Sequence, residues 1–201
     1  MKQLIIYAHP NPQSLNGQFK QAVETTLRQG KNEVIVRDLY ALNFNPVLSL
    51  ADMAGQRKGQ VSEDVRREQE YVTWADCITF IYPIWWTGLP AMMKGYIDRV
   101  FSYGFAYCYE QGVQKGLLRG KQALIINTHG KSHEEYRTIG MDQALSLTSD
   151  YGIFAYCGFE IKQHFYFDKA DRATHETVEQ WMEQLRSFIH DQSTIQHIPA
   201  T

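Results

Sequence analysis

The sequence has few cysteines, little net charge and no long apolar run. Its three cysteines, Cys77, Cys108 and Cys157, are widely spaced and form no C-x-x-C motif, which favours free thiols and no metal site. The net charge of -2 gives no electrostatic reason to bind nucleic acid or an anionic membrane. No apolar run could span a membrane and no signal peptide precedes the first strand. We therefore expect a protein of the reducing cytoplasm without an integral membrane segment.

The composition is that of a globular chain. Hydrophobic residues make up 44% and charged residues 21% of the 201 residues, which is enough to build a sizeable core. We expect a single domain over residues 1–201, with a core at about 2–190 and a C-terminal tail at 191–201.

Strand-like and helix-like patterns alternate along the chain. The predicted strands are residues 3–8, 33–39, 77–82, 122–127 and 159–165. This alternation predicts an α/β fold in three layers, a doubly wound five-stranded parallel sheet of order 2-1-3-4-5 covered by helices on both faces.

Capping signals mark several of the predicted helices. Gly30 is a natural end for the first helix, and Ser62 is a natural cap for a helix that ends near Trp74. Asp171 or Thr174 can cap the final helix, whose apolar stripe consists of Val178, Trp181, Met182, Leu185, Phe188 and Ile189. A further helix is predicted at about 142–151.

An aromatic loop follows the third strand. Pro83 ends that strand and Pro90 suits the first position of the next helix, so Trp85 and Trp86 lie in a loop at the carboxyl edge of the sheet. Exposing two indoles to water is unfavourable. Either another part of the protein or a partner subunit covers them, or they form the bed for a flat aromatic ligand.

The loops after the first and fourth strands share that edge in the predicted topology. The first has neither a G-x-G-x-x-G nor a G-K-[ST] motif, yet His9, Ser14 and Asn16 precede or begin a helix whose N-terminus favours an anion. Ordinary helix capping is the alternative for Ser14 and Asn16. The later loop, Thr128-His129-Gly130-Lys131, adds polar groups, although a solvated surface loop would explain it as well. A phosphate, an aromatic plane and polar edges together describe flavin mononucleotide (FMN).

Several motifs together carry a resemblance to a known family. They are His9-Pro10-x-x-x-Ser14-x-Asn16, Tyr82-Pro83-Ile84-Trp85-Trp86-x-Gly88-x-Pro90, Asp98-Arg99-Val100-Phe101 and Gly104-Phe105-Ala106-Tyr107. The chain resembles the NAD(P)H:quinone oxidoreductases of the flavodoxin-like fold. That group includes the DT-diaphorase type and bacterial relatives of the modulator-of-drug-activity, general-stress and potassium-efflux-ancillary kinds.

The resemblance implies roles for individual residues. The flavin phosphate would be held by His9, Ser14, Leu15 and Asn16. The flavin ring would lie along Pro83, Ile84, Trp85 and Trp86, with the N–H groups of the two tryptophans toward its polar edge. The pocket would be completed by Thr128, His129, Gly130, Lys131 and Tyr136. The quinone pocket would be lined by Tyr107 and Tyr109, often supplied by the partner subunit.

The sequence departs from the family pattern at three places. The usual Thr-Thr-Gly-Gly reads Thr128-His129-Gly130-Lys131, and no histidine follows Gly140, where the mammalian form has its proton-relay histidine. The segment 52–62 is shorter than the mammalian insertion that helps hold the adenine half of FAD. FMN is therefore the expected cofactor, with FAD as the alternative.

The implied activity is hydride transfer from NADPH or NADH through the flavin to a quinone or a similar aromatic acceptor, with Tyr136 or His129 as a hydrogen-bond donor to the acceptor. The resemblance also implies a homodimer. Two alternatives remain open: a one-electron flavodoxin-type carrier, and a regulatory flavoprotein that docks on a potassium-efflux transporter.

Overall fold

A central parallel sheet organises the fold. The computed structural model describes residues 1–195, and its five-stranded sheet has the order β2-β1-β3-β6-β7. The seven strands are β1 (Lys2–Tyr7), β2 (Glu33–Asp38), β3 (Cys77–Pro83), β4 (Tyr107–Glu110), β5 (Val113–Gly116), β6 (Gln122–Thr128) and β7 (Glu160–Phe167). Counted without the separate β4–β5 hairpin, this is the predicted flavodoxin-like order 2-1-3-4-5, which is confirmed.

Helices cover both faces of the sheet. They are α1 (Leu15–Gln29), α2 (Leu50–Gln56), α3 (Glu63–Trp74), α4 (Ala91–Val100), α5 (His133–Thr138), α6 (Met141–Ser146) and α7 (His175–Ile195), and a π-helical segment (Leu147–Ala155) continues α6. One apolar core lies between the sheet and α1 with α7, and the other lies between the sheet and α3, α4 and the π-helical segment.

The two cores divide the residues of the central strands between them. In β1, Leu4 and Ile6 face the α3–α4 side, whereas Ile5 and Tyr7 face the α1–α7 side. All seven residues of β3 are buried. Successive apolar side chains therefore point to opposite faces of the sheet, as expected for a parallel strand that is covered by helices on both faces.

Most predicted caps and boundaries agree with the structure within one or two residues. Gly30 ends α1, and the Thr174 hydroxyl accepts a hydrogen bond from the Thr177 N–H, so Thr174 rather than Asp171 caps α7. Ser62 precedes α3, but its side chain makes no capping bond there. Pro90 is the cap of α4 rather than its first residue.

Three elements were not predicted from the sequence: α2, the β4–β5 hairpin and α5. Both short helices carry a complete capping box, Ser49 with Asp52 and Ser132 with Glu135. This S-x-x-[DE] signal was available, but neither helix has a buried residue and so neither shows apolar periodicity. Residues 191–195, assigned to a tail, continue α7, and residues 196–201 lie outside the described residues.

A buried arginine fastens the segment between β2 and α3 to α4. The Arg99 guanidinium pairs with Asp64 at 2.6 Å and with Asp52 at 3.3 Å, and it donates to the Asn45 carbonyl at 2.8 Å. Ser62 Oγ accepts another of its hydrogen bonds, which explains why Ser62 does not cap α3. Partial burial raises the pKa of Asp64, but hydrogen bonds from Arg99 and Ser62 and the charge of Arg99 lower it to about 2.

We expect Arg99→Ala to lower the free energy of unfolding by about 3 kcal/mol, because it removes the charge-assisted hydrogen bonds from a buried guanidinium to Asp52, Asp64 and the Asn45 carbonyl. Urea unfolding would measure the loss. Lys94→Ala on the same helix is the matched control: its pair with Asp98 is exposed and should contribute less than about 1 kcal/mol. Equal effects of the two substitutions would contradict a structural role for the Arg99 network.

Candidate functional site

Three loops meet at the carboxyl edge of the sheet. The Asn16 amide nitrogen, at the start of α1, donates to Thr128 Oγ1 at 2.8 Å. The Ile84 N–H donates to the Thr128 carbonyl at 2.8 Å, and the rings of His9 and Trp85 lie 5.6 Å apart in an edge-to-face arrangement. The loops after β1, β3 and β6 therefore form one surface, where doubly wound folds bind ligands.

The loop after β1 presents backbone donors rather than side chains. Ser14 Oγ accepts from the Gly17 N–H at 3.1 Å, so the capping alternative holds for Ser14. The N–H groups of Leu15 and Asn16, in the first turn of the 15-residue helix α1, have no protein acceptor among the described residues. Gly17 was not singled out from the sequence, yet a Cβ there would lie 2.0 Å from the Pro12 carbonyl oxygen. The loop is thus compact and keeps two free donors at a helix N-terminus.

His9 offers one further donor. Its Nδ1 lies 3.0 Å from the Asn11 backbone nitrogen and 3.1 Å from the Asn11 carbonyl oxygen. Partial burial lowers the pKa of His9, although the bond to the Asn11 carbonyl raises it. In the tautomer in which Nδ1 accepts from the Asn11 N–H, the neutral ring carries its hydrogen on Nε2.

Residues Trp85–Gly88 form a tight two-residue hairpin, which we call the tryptophan turn. Trp85 and Gly88 exchange two backbone hydrogen bonds of 3.1 Å, and the two central residues have positive φ, 51° at Trp86 and 55° at Thr87. The turn holds the Trp86 indole fully exposed, at 101%, and Trp85 at 42%. One expectation is wrong: the Trp85 N–H donates to Gly88 and is not free for a ligand.

Thr128, His129 and Tyr136 form the opposite side of the surface. Thr128 and His129 are buried, and the half-buried Tyr136 ring stacks on His129 with centroids 4.8 Å apart and planes at 12°. Burial, together with the neighbouring His133, lowers the pKa of His129, which leaves this ring neutral. The neutral imidazole therefore serves as a flat support for the tyrosine.

The other two residues of this loop, Gly130 and Lys131, are exposed. Lys131 is exposed and its ammonium pairs with Glu135 at 3.0 Å, so the loop does not hold an unpaired charge over the surface. A Cβ at Gly130 would meet only Asp171, at an ordinary 3.6 Å, so the chain itself does not require a glycine there.

Tyr107 and Tyr109 lie elsewhere in this chain. They line a cavity of about 870 Å³ between α4, the β4–β5 hairpin and the π-helical segment, and no residue of the three loops lines it. The Tyr109 hydroxyl lies 3.0 Å from that of Tyr156, a residue that the sequence analysis did not identify. This hydrogen bond raises the pKa of Tyr156 to about 12.

The described residues contain neither a metal-binding cluster nor a membrane-spanning helix. Within residues 1–195, no cluster of histidine, cysteine and acidic side chains could hold a metal ion. Over the same range, no helix combines the length and the apolar character needed to cross a membrane.

We expect Thr87→Gly to stabilise the protein by up to about 1 kcal/mol, because glycine adopts positive φ without the strain that a β-branched residue incurs. Thermal unfolding would measure it. The matched control is Thr25→Gly at an exposed position in α1, which should instead cost about 1 kcal/mol. Destabilisation by both substitutions would show that the turn is unstrained.

Comparisons with known proteins agree with this fold. A family model described as a flavodoxin-like fold matches residues 1–189. An "Uncharacterized NAD(P)H oxidoreductase" of Haemophilus influenzae is 39% identical over 181 residues, 86% of this chain and 90% of that protein. NAD(P)H dehydrogenase (quinone) 1 of Rattus norvegicus is 33% identical over 79% of this chain and 65% of its own length.

A solved structure points the same way. The NAD(P)H:quinone oxidoreductase from Methanothermobacter marburgensis aligns with a TM-score of 0.84 at 25% identity, covering 96% of this chain and 98% of that one. The names of these relatives agree with the predicted enzyme class. The chain belongs to the flavodoxin-like family, as its motifs predicted, and its relatives there include NAD(P)H:quinone oxidoreductases.

Proposed function

We propose that this chain is a flavin-dependent NAD(P)H oxidoreductase that passes a hydride to a quinone or a similar aromatic acceptor. The observation that carries the proposal is the tryptophan turn, which holds the Trp86 indole entirely in solvent at the same sheet edge as the free N–H groups at the start of α1. A flat ring with a phosphate tail would cover the first and bind the second.

The residues at the three loops fit a flavin. The Leu15 and Asn16 N–H groups and His9 Nε2–H supply donors for a phosphate. The buried Asn16 Oδ1 has no hydrogen-bond partner within the protein, which makes it a candidate acceptor for a ligand hydroxyl after a small shift of the side chain. Pro83, Ile84 and the tryptophan turn would then lie along the ring, with Thr128 and Tyr136 at its far side.

When bound, the flavin accepts a hydride from NADPH or NADH and supplies it to the acceptor. The protein contributes walls and donors. The turn leaves the N–H groups of Trp86 and Thr87 without a partner among the described residues, so they can stabilise negative charge that develops at the edge of the ring. Tyr136, held flat by His129, can donate its hydroxyl hydrogen to the acceptor.

FMN is the preferred form of the flavin. The short helix α2 occupies Leu50–Gln56 of this segment, and Arg99 fastens residues 50–62 to α4 through Asp52 and Ser62. The segment contains no insertion that could reach an adenine half, so FAD is the less favoured alternative.

A homodimer would complete the acceptor pocket. Tyr103 and Tyr109 are exposed at 40% and 51% on the β4 side, away from the three loops of their own chain. A second copy would cover these rings and bring Tyr107 and Tyr109 against the first copy's flavin. The quinone would bind between the two chains.

An anaerobic visible spectrum of the purified protein with FMN tests the function. We expect NADPH or NADH to bleach the flavin in one two-electron step, and a quinone to restore the absorbance. Bleaching through a stable one-electron stage would favour an electron carrier, and a bound flavin that neither nucleotide reduces would favour a regulatory role. Absence of flavin binding would overturn the proposal.

Tyr136→Phe should lower the quinone kcat about tenfold or more, because it removes a proton donor but keeps the ring on His129. FMN affinity should stay within about fivefold, since an exposed hydrogen bond contributes only about 1 kcal/mol or less. Steady-state kinetics and flavin titration measure the two quantities. Tyr151→Phe, at an exposed position of the π-helical segment, is the control. An unchanged kcat for Tyr136→Phe would exclude its role as the donor.

A further inference from the structure

A buried chain of polar side chains runs from the π-helical segment to the end of β3. His164 Nδ1 lies 2.7 Å from Asp150 Oδ1, and His164 Nε2 lies 2.7 Å from Asn127 Oδ1. The Asn127 amide nitrogen donates to the Tyr82 carbonyl at 2.9 Å. The His164 side chain is only 6% exposed and Asn127 is fully buried. The chain therefore ends at Tyr82, three residues before the tryptophan turn begins, on the strand that carries the turn.

The acceptors fix the hydrogens of this chain. The Tyr82 carbonyl can only accept, so the Asn127 amide nitrogen faces it and Asn127 Oδ1 faces the imidazole. His164 Nε2 must then carry a hydrogen. Reversing the imidazole or the amide would place two acceptors against each other.

The carboxylate end of the chain requires a second hydrogen. Ser146 donates to Asp150 Oδ2 at 2.9 Å. Burial raises the pKa of Asp150, but hydrogen bonds from His164, Ser149 and Ser146 and the charge of His164 outweigh it, so that pKa is lowered. Burial lowers the pKa of His164 and outweighs the hydrogen bond and charge of Asp150, which raise it. With an acceptor against each ring nitrogen, the ring and the carboxylate hold two hydrogens between them, one of them between Nδ1 and Asp150 Oδ1, and the pair is neutral as a whole.

The same imidazole supports the other side of the surface. Tyr166 stacks on His164 with centroids 3.8 Å apart and planes at 20°. The Tyr166 ring meets the edge of His129 at 6.4 Å and 70°, and His129 in turn supports Tyr136. Contacts from one buried ring thus lead to both walls of the three-loop surface.

We propose that His164 is a positioning residue that holds the end of β3, and with it the tryptophan turn, in place relative to the His129–Tyr136 stack. Asp150 orients its ring, and Asn127 transmits that orientation to the Tyr82 carbonyl. The consequence for flavin affinity rests on the proposed function, whereas the consequence for the turn does not.

Two substitutions of His164 separate its two bonds. A glutamine places its amide nitrogen near the position of Nε2, so His164→Gln keeps the donor to Asn127 and loses the bond to Asp150. An asparagine places its nitrogen near Nδ1, so His164→Asn keeps the bond to Asp150 and loses the donor to Asn127. Both remove the ring from Tyr166 equally, which makes each the control for the other.

The first measurement is hydrogen exchange of the Ile84 and Trp85 backbone amides in the flavin-free protein, where they bond to Thr128 and Gly88. We expect about tenfold faster exchange in His164→Asn than in His164→Gln, because His164→Asn loses the buried hydrogen bond that holds Asn127 against the Tyr82 carbonyl. The second is FMN affinity, which should fall about tenfold in His164→Asn relative to His164→Gln. His175→Gln, at an exposed position, should match the wild type in both.

Each outcome supports or overturns the inference. Equal exchange in the two His164 variants would overturn it, whether or not flavin binds. If the wild type binds no FMN while the variants differ in exchange, the flavin proposal fails and the positioning role stands. If His164→Asn does not fold, Asp150→Asn replaces it. That substitution removes the charge that holds the second ring hydrogen, and exchange at Ile84 equal to the wild type would then overturn the inference.

Discussion

The end of β3 constrains the whole carboxyl edge of the sheet. Pro83 is the last residue of β3 that pairs with β6, opposite Thr128, and it has no N–H with which to extend the sheet, so the chain turns away after the Ile84 N–H has bonded to Thr128. The Ile84 N–H and the Asn127 amide supply the neighbouring hydrogen bonds to the Thr128 and Tyr82 carbonyls. The position of the tryptophan turn follows from these bonds, because only two residues separate Pro83 from Trp86.

The tryptophan turn combines backbone strain with an exposed apolar ring, and the free energy that both cost must be offset by the rest of the fold. Positive φ at Trp86 and Thr87 costs on the order of 1 kcal/mol for each residue, and the exposed indole gains nothing from burial. Strain of this kind persists where surrounding structure determines the backbone, and here β3 is buried along its entire length. The local cost is consistent with a surface kept ready for a flat ligand, since a protein selected for stability alone would place glycine at Thr87.

Sequence patterns predicted the architecture well because the parallel strands are long, apolar and separated by helices with clear caps. They missed α2, α5 and the β4–β5 hairpin, whose formation depends on local capping and turn residues such as Ser49, Ser132 and Gly112 rather than on apolar periodicity. The loops of the candidate site were identified from the sequence, but the hydrogen-bond partners of their atoms were not. The Trp85 N–H donates to Gly88 within the turn, and Lys131 pairs with Glu135. Those partners depend on backbone angles and rotamers that the residue types do not specify.

The polar chain under the site illustrates why such details escape sequence reasoning. Asn127, Asp150 and His164 lie on three different elements, and each alone is consistent with an ordinary surface or strand residue. Apolar packing of the same volume could be as stable as this buried polar network, so stability does not explain its presence. An apolar cluster would lack directional bonds. The Tyr82 carbonyl, the Asn127 amide and the His164 imidazole each admit one orientation, and together they define the position of Tyr82. Orientation of the strand end, rather than added stability, is therefore the physical contribution that this network makes to the edge where the three loops meet.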